Sequence, residues 1–243
     1  MGSGWGFAAL LGAVVLVGAS VQRLAGIGFA LVAAPALVLM LGPGGGVTLA
    51  NCASAAISAV GLAGNWRQVR VAEMVPLIAA AVCTVPAGSW VAGRVSPTVL
   101  LIGIGALVSA AALLVLGGVR ASSLRGVRGA VVAGAASGFM NAAAGVGGPA
   151  ISLYALNTGW SARQFVPNAQ LYGLLVNAVS IAAKGLPHLT APAWSLAALG
   201  IAGGSVVGKV LAERVPEGRA RLVVLGLALA GGVVTLAKGL WGL

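Results

Sequence analysis

Residues 141–154 read NAAAGVGGPAISLY. An apolar stretch beginning near residue 129 is interrupted here by Gly145, Gly147, Gly148 and Pro149. Glycine allows positive φ and close backbone approach. Proline suits the first turn of a new helix, where its missing N–H costs nothing. The spacing predicts one helix ending near residue 144 and another starting at Pro149. A helix that starts inside an apolar segment points unpaired N–H groups and a positive dipole end at whatever lies in front.

The pattern recurs 119 residues earlier. Gly26-Ile27-Gly28 matches Gly145-Val146-Gly147, and Gln22 matches Asn141, each four residues before its first glycine. Asn51 then falls on Gln170, Ser58 on Asn177 and Asn65 on Lys184. With a few residues of slippage, Gly88-x-x-x-Ala92 pairs with Gly204-x-x-x-Gly208. Polar residues are scarce in this chain, so their shared spacing argues for duplication. The expected organisation is a first membrane repeat over 1–119, a basic cytoplasmic linker over 120–128 and a second membrane repeat over 129–243.

Composition identifies the solvent. The chain has 243 residues, 60% apolar and 7% charged, with a mean hydropathy of +1.07. A soluble domain carries about 25% charged residues. A core of this size cannot hide so much apolar surface from water, so the chain is read as an all-α polytopic membrane protein. Ten apolar runs are visible, roughly 5–21, 24–41, 47–64, 74–93, 98–118, 129–144, 146–160, 166–183, 193–212 and 221–241. A full span needs about 20 residues, so the expectation is about 8–10 transmembrane or half-spanning helices, with two glycine-broken hairpins. Residues 1–22 lack a basic leading region, so no cleaved signal peptide is expected. Gly200, Gly204 and Gly208 form a small-residue ridge for helix packing, and Gly134 and Gly138 a shorter one.

The net charge is +11. The positive residues are scattered between apolar runs rather than gathered on one face, so they are read as topology-setting loop charges and not as a nucleic-acid surface. Arg67 and Arg70, the group Arg120, Arg125 and Arg128, then Arg163, and finally Arg214, Arg219 and Arg221 mark loops expected in the cytoplasm. Loops 43–46 and 185–192 are expected outside. Each half then crosses an odd number of times, which makes the halves inverted repeats, the plan of many secondary transporters. Arg94 and Lys184 run against this scheme.

Two matched helix breaks at membrane depth point to a central site, because irregular backbone survives there only when buried in protein or lining a cavity. The candidate substrate-binding residues are Gln22, Arg23, Gly26, Gly28, Asn51, Ser54, Asn141, Gly145, Gly147, Gly148, Gln170, Tyr172 and Asn177. Asn51, Ser54 and Ser58 share one helical face, and Gln170, Gly173 and Asn177 take the matching positions. Buried amides need partners, either neighbouring helices or a substrate. Arg23 offers a fork suited to oxyanions, or caps the first span and reaches the interface. Lys184, at a helix end, is a second candidate for the anion role. Asn168 and Tyr154 are polar groups near these turns.

Several chemistries are excluded. The chain has no Asp, and its three acids, Glu73, Glu213 and Glu217, sit at loop edges. No catalytic acid–base set is visible, so an enzyme is not expected, and neither is a relay of buried carboxylates. Cys52 and Cys83 read as buried free thiols, and His188 is the single histidine, so no metal or other cofactor is expected. A positive-dipole site without acids favours an anion.

These features resemble the sulfite exporter TauE/SafE family of membrane permeases. The resemblance covers nearly the whole chain and is most specific at Ala144-Gly145-Val146-Gly147-Gly148-Pro149. The first copy, Ala25-Gly26-Ile27-Gly28-Phe29-Ala30, carries Phe29 and Ala30 where the family has further glycines. The resemblance implies passage or export of small sulfur anions such as sulfite or sulfoacetate, a bacterial inner-membrane location and about eight spans. The expected partners are a small anionic substrate and the lipid bilayer, with a homodimer also open. The expected mechanism holds the anion between the glycine turns while the two halves alternate access. A passive anion channel and a non-transporting scaffold subunit are the alternatives.

Overall fold

The computed structural model describes residues 4–25, 28–118, 125–215 and 217–242, without the side chains of Ala25, Ala162 and residues 217–221. Gly26, Ile27, residues 120–124 of the linker and the side chains of Arg219 and Arg221 therefore lie outside the described part.

In hydrocarbon every backbone N–H and C=O must be paired internally, so apolar segments become helices. The described residues form α1 (Gly4–Ala25), α2 (Phe29–Ala63), α3 (Val71–Arg94), α4 (Pro97–Leu116), α5 (Gly126–Ala144), α6 (Gly148–Thr158), α7 (Ala162–Lys184), α8 (Ala191–Arg214) and α9 (Glu217–Trp241). Seven of them, all except α5 and α6, are long and apolar enough to cross a membrane.

Two segments are too short to cross. At 1.5 Å rise per residue, the 11 residues of α6 span about 16 Å, half the hydrocarbon thickness. Helix α2 is really two arms, residues 29–41 and 43–63, because Gly42 is non-helical (φ 77°, ψ 167°). The chain doubles back there, so that Gly46 meets the backbone of Leu37 and Val38. Counting both arms of α2, ten segments stand where ten apolar runs were expected. The expected loop at 43–46 is instead helical, since Pro43 opens the second arm with φ already set. Arg128 and Arg163 likewise sit in first helical turns rather than in loops.

Small residues set the pairings. Gly200, Gly204 and Gly208 of α8 lie against the backbone of Gly12, Leu16 and Ser20 of α1, so these helices run parallel. Gly134 and Gly138 of α5 lie against Leu77 and Ala81 of α3, also parallel. Gly105 of α4 meets Leu236 of α9, while Gly239 meets Ile102, which makes that pair antiparallel. Helices α2 and α7 are antiparallel too, with Gly61 against Gln170 and Gly173 against Ser58.

The outer surface is apolar, with Leu10, Leu113, Val132, Leu199, Val206 and Leu227 exposed. Cys83 is also exposed and Cys52 half-buried, both free, so the expectation of two buried thiols fails for Cys83. Trp5, Trp66, Trp90 and Trp241 lie exposed near helix ends, where amphipathic rings favour the membrane interface. Arg67 covers Trp66 and Arg94 covers Trp90, with 4.2 Å from the Arg94 guanidinium to the ring centre. That contact explains how Arg94 is tolerated outside the basic loops.

Candidate functional site

Inside the protein two apolar clusters form. One joins α1, α2, α4, α8 and α9 and takes in Ala144 and Val146 at the second break, and the other joins α3, α5, α6 and α7. Between them lies a cavity of about 70 Å³. Its polar wall comprises Gln22 of α1, Ser54 and Ser58 of α2, Asn141 of α5, and Tyr172 and Asn177 of α7. Its ends are Gly28 and Phe29 at the start of α2, and Gly147 and Gly148 at the start of α6.

Gly28 of the first turn and Gly147 and Gly148 of the second therefore reach the same cavity. Gly145 ends α5 in the left-handed conformation (φ 74°), and its N–H bonds to the Asn141 carbonyl at 2.9 Å. Gly28 precedes α2 with φ 128°, a conformation reserved for glycine. Gly147 has ordinary φ but no room. A Cβ there would stand 2.7 Å from Ser137 Oγ. Pro149 occupies the first turn of α6, as its position predicted.

The first N–H groups of a helix have no intrahelical partner, so the starts of α2 and α6 present donors and positive dipole ends to the cavity. The far ends of these arms meet cations. Arg125 Nε donates to the Asn157 carbonyl at 3.0 Å near the end of α6. Lys238 Nζ donates to the Leu39 carbonyl at 3.5 Å near the end of the first α2 arm.

Hydrogen bonds organise the wall. Asn141 Nδ2 donates to Asn177 Oδ1 at 3.0 Å and to Ser180 Oγ at 3.1 Å. Asn177 Nδ2 donates to the Gly173 carbonyl at 2.7 Å. Gln22 Nε2 donates to Ser58 Oγ at 3.3 Å. Ser137 Oγ donates to the Gly147 carbonyl at 2.6 Å, tying the second break to α5. The buried Tyr172 hydroxyl lines the cavity beside Ser137 but completes no hydrogen bond of good geometry.

Eight of the sequence candidates meet here: Gln22, Gly28, Ser54, Asn141, Gly147, Gly148, Tyr172 and Asn177. Four stand off the wall. Arg23 packs its Cβ against Gly208 of α8. Gly145 faces Val47 and Ala50 of α2. Gln170 lies over Gly61. Asn51 is fully buried outside the cavity. Gly26 lies outside the described residues. Tyr154 is a core residue, edge-on to Trp160 at 5.6 Å, and Asn168 accepts the Arg70 backbone N–H at 2.9 Å.

The sequence reading passed over Ser137 and Ser180. Ser137 precedes Asn141 by one helical turn, and Ser180 follows Asn177 by three residues, so both stand on site-facing stripes. Lys184, which the sequence offered beside Arg23 as a candidate for the anion role, does not line the cavity. Its Nζ donates to the Ala142 carbonyl at 2.7 Å, on the last turn of α5.

Among the described residues, no carboxylate belongs to the cavity wall. Glu73 pairs with Arg70 at 2.9 Å on the surface. The arrangement is thus a small, acid-free chamber lined by amides, hydroxyls and helix starts. Comparison with curated proteins and with solved structures finds no match. A family model described as sulfite exporter TauE/SafE matches residues 10–235, which takes in both helix breaks and every wall residue. With nearly its whole length matched, the chain belongs to the sulfite exporter TauE/SafE family.

Proposed function

We propose that this protein is a secondary transporter, working as an exporter in a bacterial inner membrane, which binds one small sulfur oxyanion between the starts of α2 and α6. Family membership makes it a multi-pass membrane transporter of sulfur anions. The observation that carries the finer reading is the convergence of two helix starts on one acid-free cavity. Helix starts favour anions electrostatically and by hydrogen bonding. Size narrows the class. A water needs about 10–15 Å³ of such space, so 70 Å³ admits a compact ion. Sulfite fits that size, whereas the carboxymethyl arm of sulfoacetate requires the wall to open further.

In this reading the N–H groups of the two helix starts contact the oxyanion. Asn141, Asn177, Gln22, Ser58 and Tyr172 surround it. The inverted relation of the halves is supported by the pairings, since α2 crosses α7 and α4 crosses α9 antiparallel while the swapped pairs α1–α8 and α3–α5 run parallel. Alternating access then follows from rocking of one half on the other. Burial of Asn51 beyond the cavity favours this over an open channel. The test uses purified protein. Sulfite raises the melting temperature with saturation, and proteoliposomes move labelled sulfite. A folded protein giving neither effect sinks the proposal.

A further inference from the structure

Two polar stripes run beyond the cavity. On α2 they occupy positions 51, 54, 58 and 61, and on α7 positions 170, 173, 177, 180 and 184. Steps of three and four keep each stripe on one helix face. The stripes meet antiparallel, since Gly61 lies against Gln170 and Gly173 against Ser58. The same register sets Asn51 opposite Ser180. The cavity occupies only the middle, at Ser54, Ser58, Gly173 and Asn177.

Asn51 is 0% exposed, and neither its Oδ1 nor its Nδ2 has a hydrogen-bond partner. An unpaired buried amide costs stability that a leucine of similar shape avoids. Such a group is explained when it meets a partner in another state of the molecule. Lys184 closes the α7 stripe. Its ammonium is answered by the Ala142 carbonyl rather than by a carboxylate, and Cys52, next to Asn51, is its electrostatic neighbour. A cation held in a span without an acid is costly and marks ion pathways.

We infer that an anion leaving the cavity travels along the α2–α7 seam to a second polar station formed by Asn51, Ser180 and Lys184. This rests on the cavity being the substrate site. In the state described here the leg is shut at Asn51. When it opens, the anion takes over the amide of Asn51 and the ammonium of Lys184, and α5 loses its clamp on Ala142.

The leg is tested without any anion by thiol labelling. Asn51→Cys is made in a chain with Cys52→Ala and Cys83→Ala, and a membrane-impermeant methanethiosulfonate is applied from each side of proteoliposomes. Asn51→Cys is expected to react about tenfold or more faster than Val85→Cys, a fully buried position in the α3 core. Reaction as slow as that of Val85→Cys from both sides overturns the leg, whatever the cavity binds. A second measurement asks whether the station carries anions. Lys184→Met is expected to keep the sulfite-induced melting shift while flux falls about tenfold or more, and Lys184→Arg restores flux. Unchanged flux in Lys184→Met overturns the station. A wild-type chain with no sulfite shift refutes the cavity reading instead, and the labelling result still decides the leg.

Discussion

Asn141 donates its side-chain amide to Asn177 at 3.0 Å, and the two residues stand 36 apart in the chain. Gln22 and Ser58, also 36 apart, make the corresponding bond at 3.3 Å. Each pair joins the helix before a break to the helix that lines the cavity opposite. Asn141 does more than Gln22, because its amide also reaches Ser180 and its carbonyl caps the break at Gly145. The second half of the wall is thus the more tightly held.

Asn141→Asp follows from that position. The substitution keeps the size and puts a carboxylate where amide donors now face Asn177 and Ser180. Ionised, it repels an anion at close range in a low-dielectric site. Sulfite affinity is expected to fall about a hundredfold, a loss of about 2.7 kcal/mol. Isothermal titration against the folded variant checks this, and near-native affinity contradicts the anion site.

Gly147→Ala tests the close approach at the second break. The added methyl stands 2.7 Å from Ser137 Oγ and 2.8 Å from the Ser137 carbonyl oxygen. Backbone on one side leaves little room to yield, so overpacking is expected to cost about 1–3 kcal/mol. Gly103→Ala, where a Cβ meets nothing within 4 Å, is expected to be neutral or slightly stabilising, since alanine is the better helix former. Thermal unfolding of the two variants side by side separates crowding from a general effect of losing glycine.

The fold was largely legible because the bilayer permits few solutions. Breaks at Gly145–Pro149 and at Gly26–Gly28 could be read from residue type alone, since glycine and proline carry their own backbone chemistry. What could not be read was azimuth. Asn51 and Ser54 share a stripe, yet only Ser54 reaches the cavity, because the crossing of α2 over α7 decides which turn meets open space. Arg23 was the other instructive case. Its charge suggested an anion ligand, but the small Gly208 draws that side of α1 onto α8. Lys184 was legible as a charged candidate, but its partner was not, since that is a main-chain carbonyl that no side-chain pattern announces.

Gly204→Leu examines the ridge of α8. Gly204 lies against the Leu16 carbonyl and the Ala19 methyl of α1, 2.6 Å from a built Cβ to the latter. Close backbone approach is what small residues supply in membranes, and a leucine forces the helices apart. The variant is expected to lose its monodisperse peak in detergent size exclusion. Gly103→Leu, on the open face of α4, keeps the peak. Equal behaviour of the two variants is incompatible with ridge packing between α1 and α8.

Glu73, Glu213 and Glu217 are the chain's entire supply of carboxylate side chains. Glu73 sits in an exposed pair with Arg70, worth less than about 1 kcal/mol. Neither Glu73 nor Glu213 lines the cavity, and the side chain of Glu217 lies outside the described residues. If transport runs on the helix starts and the amide wall, no side-chain carboxylate has a proton to carry. The triple variant Glu73→Gln, Glu213→Gln, Glu217→Gln is therefore expected to move sulfite within about twofold of the parent rate, with stability changed by less than about 1 kcal/mol in all. Flux with and without an imposed pH gradient reads the outcome directly. A variant that folds but loses gradient-driven flux shows that an acid at the membrane edge takes part, and the acid-free account of the site then fails.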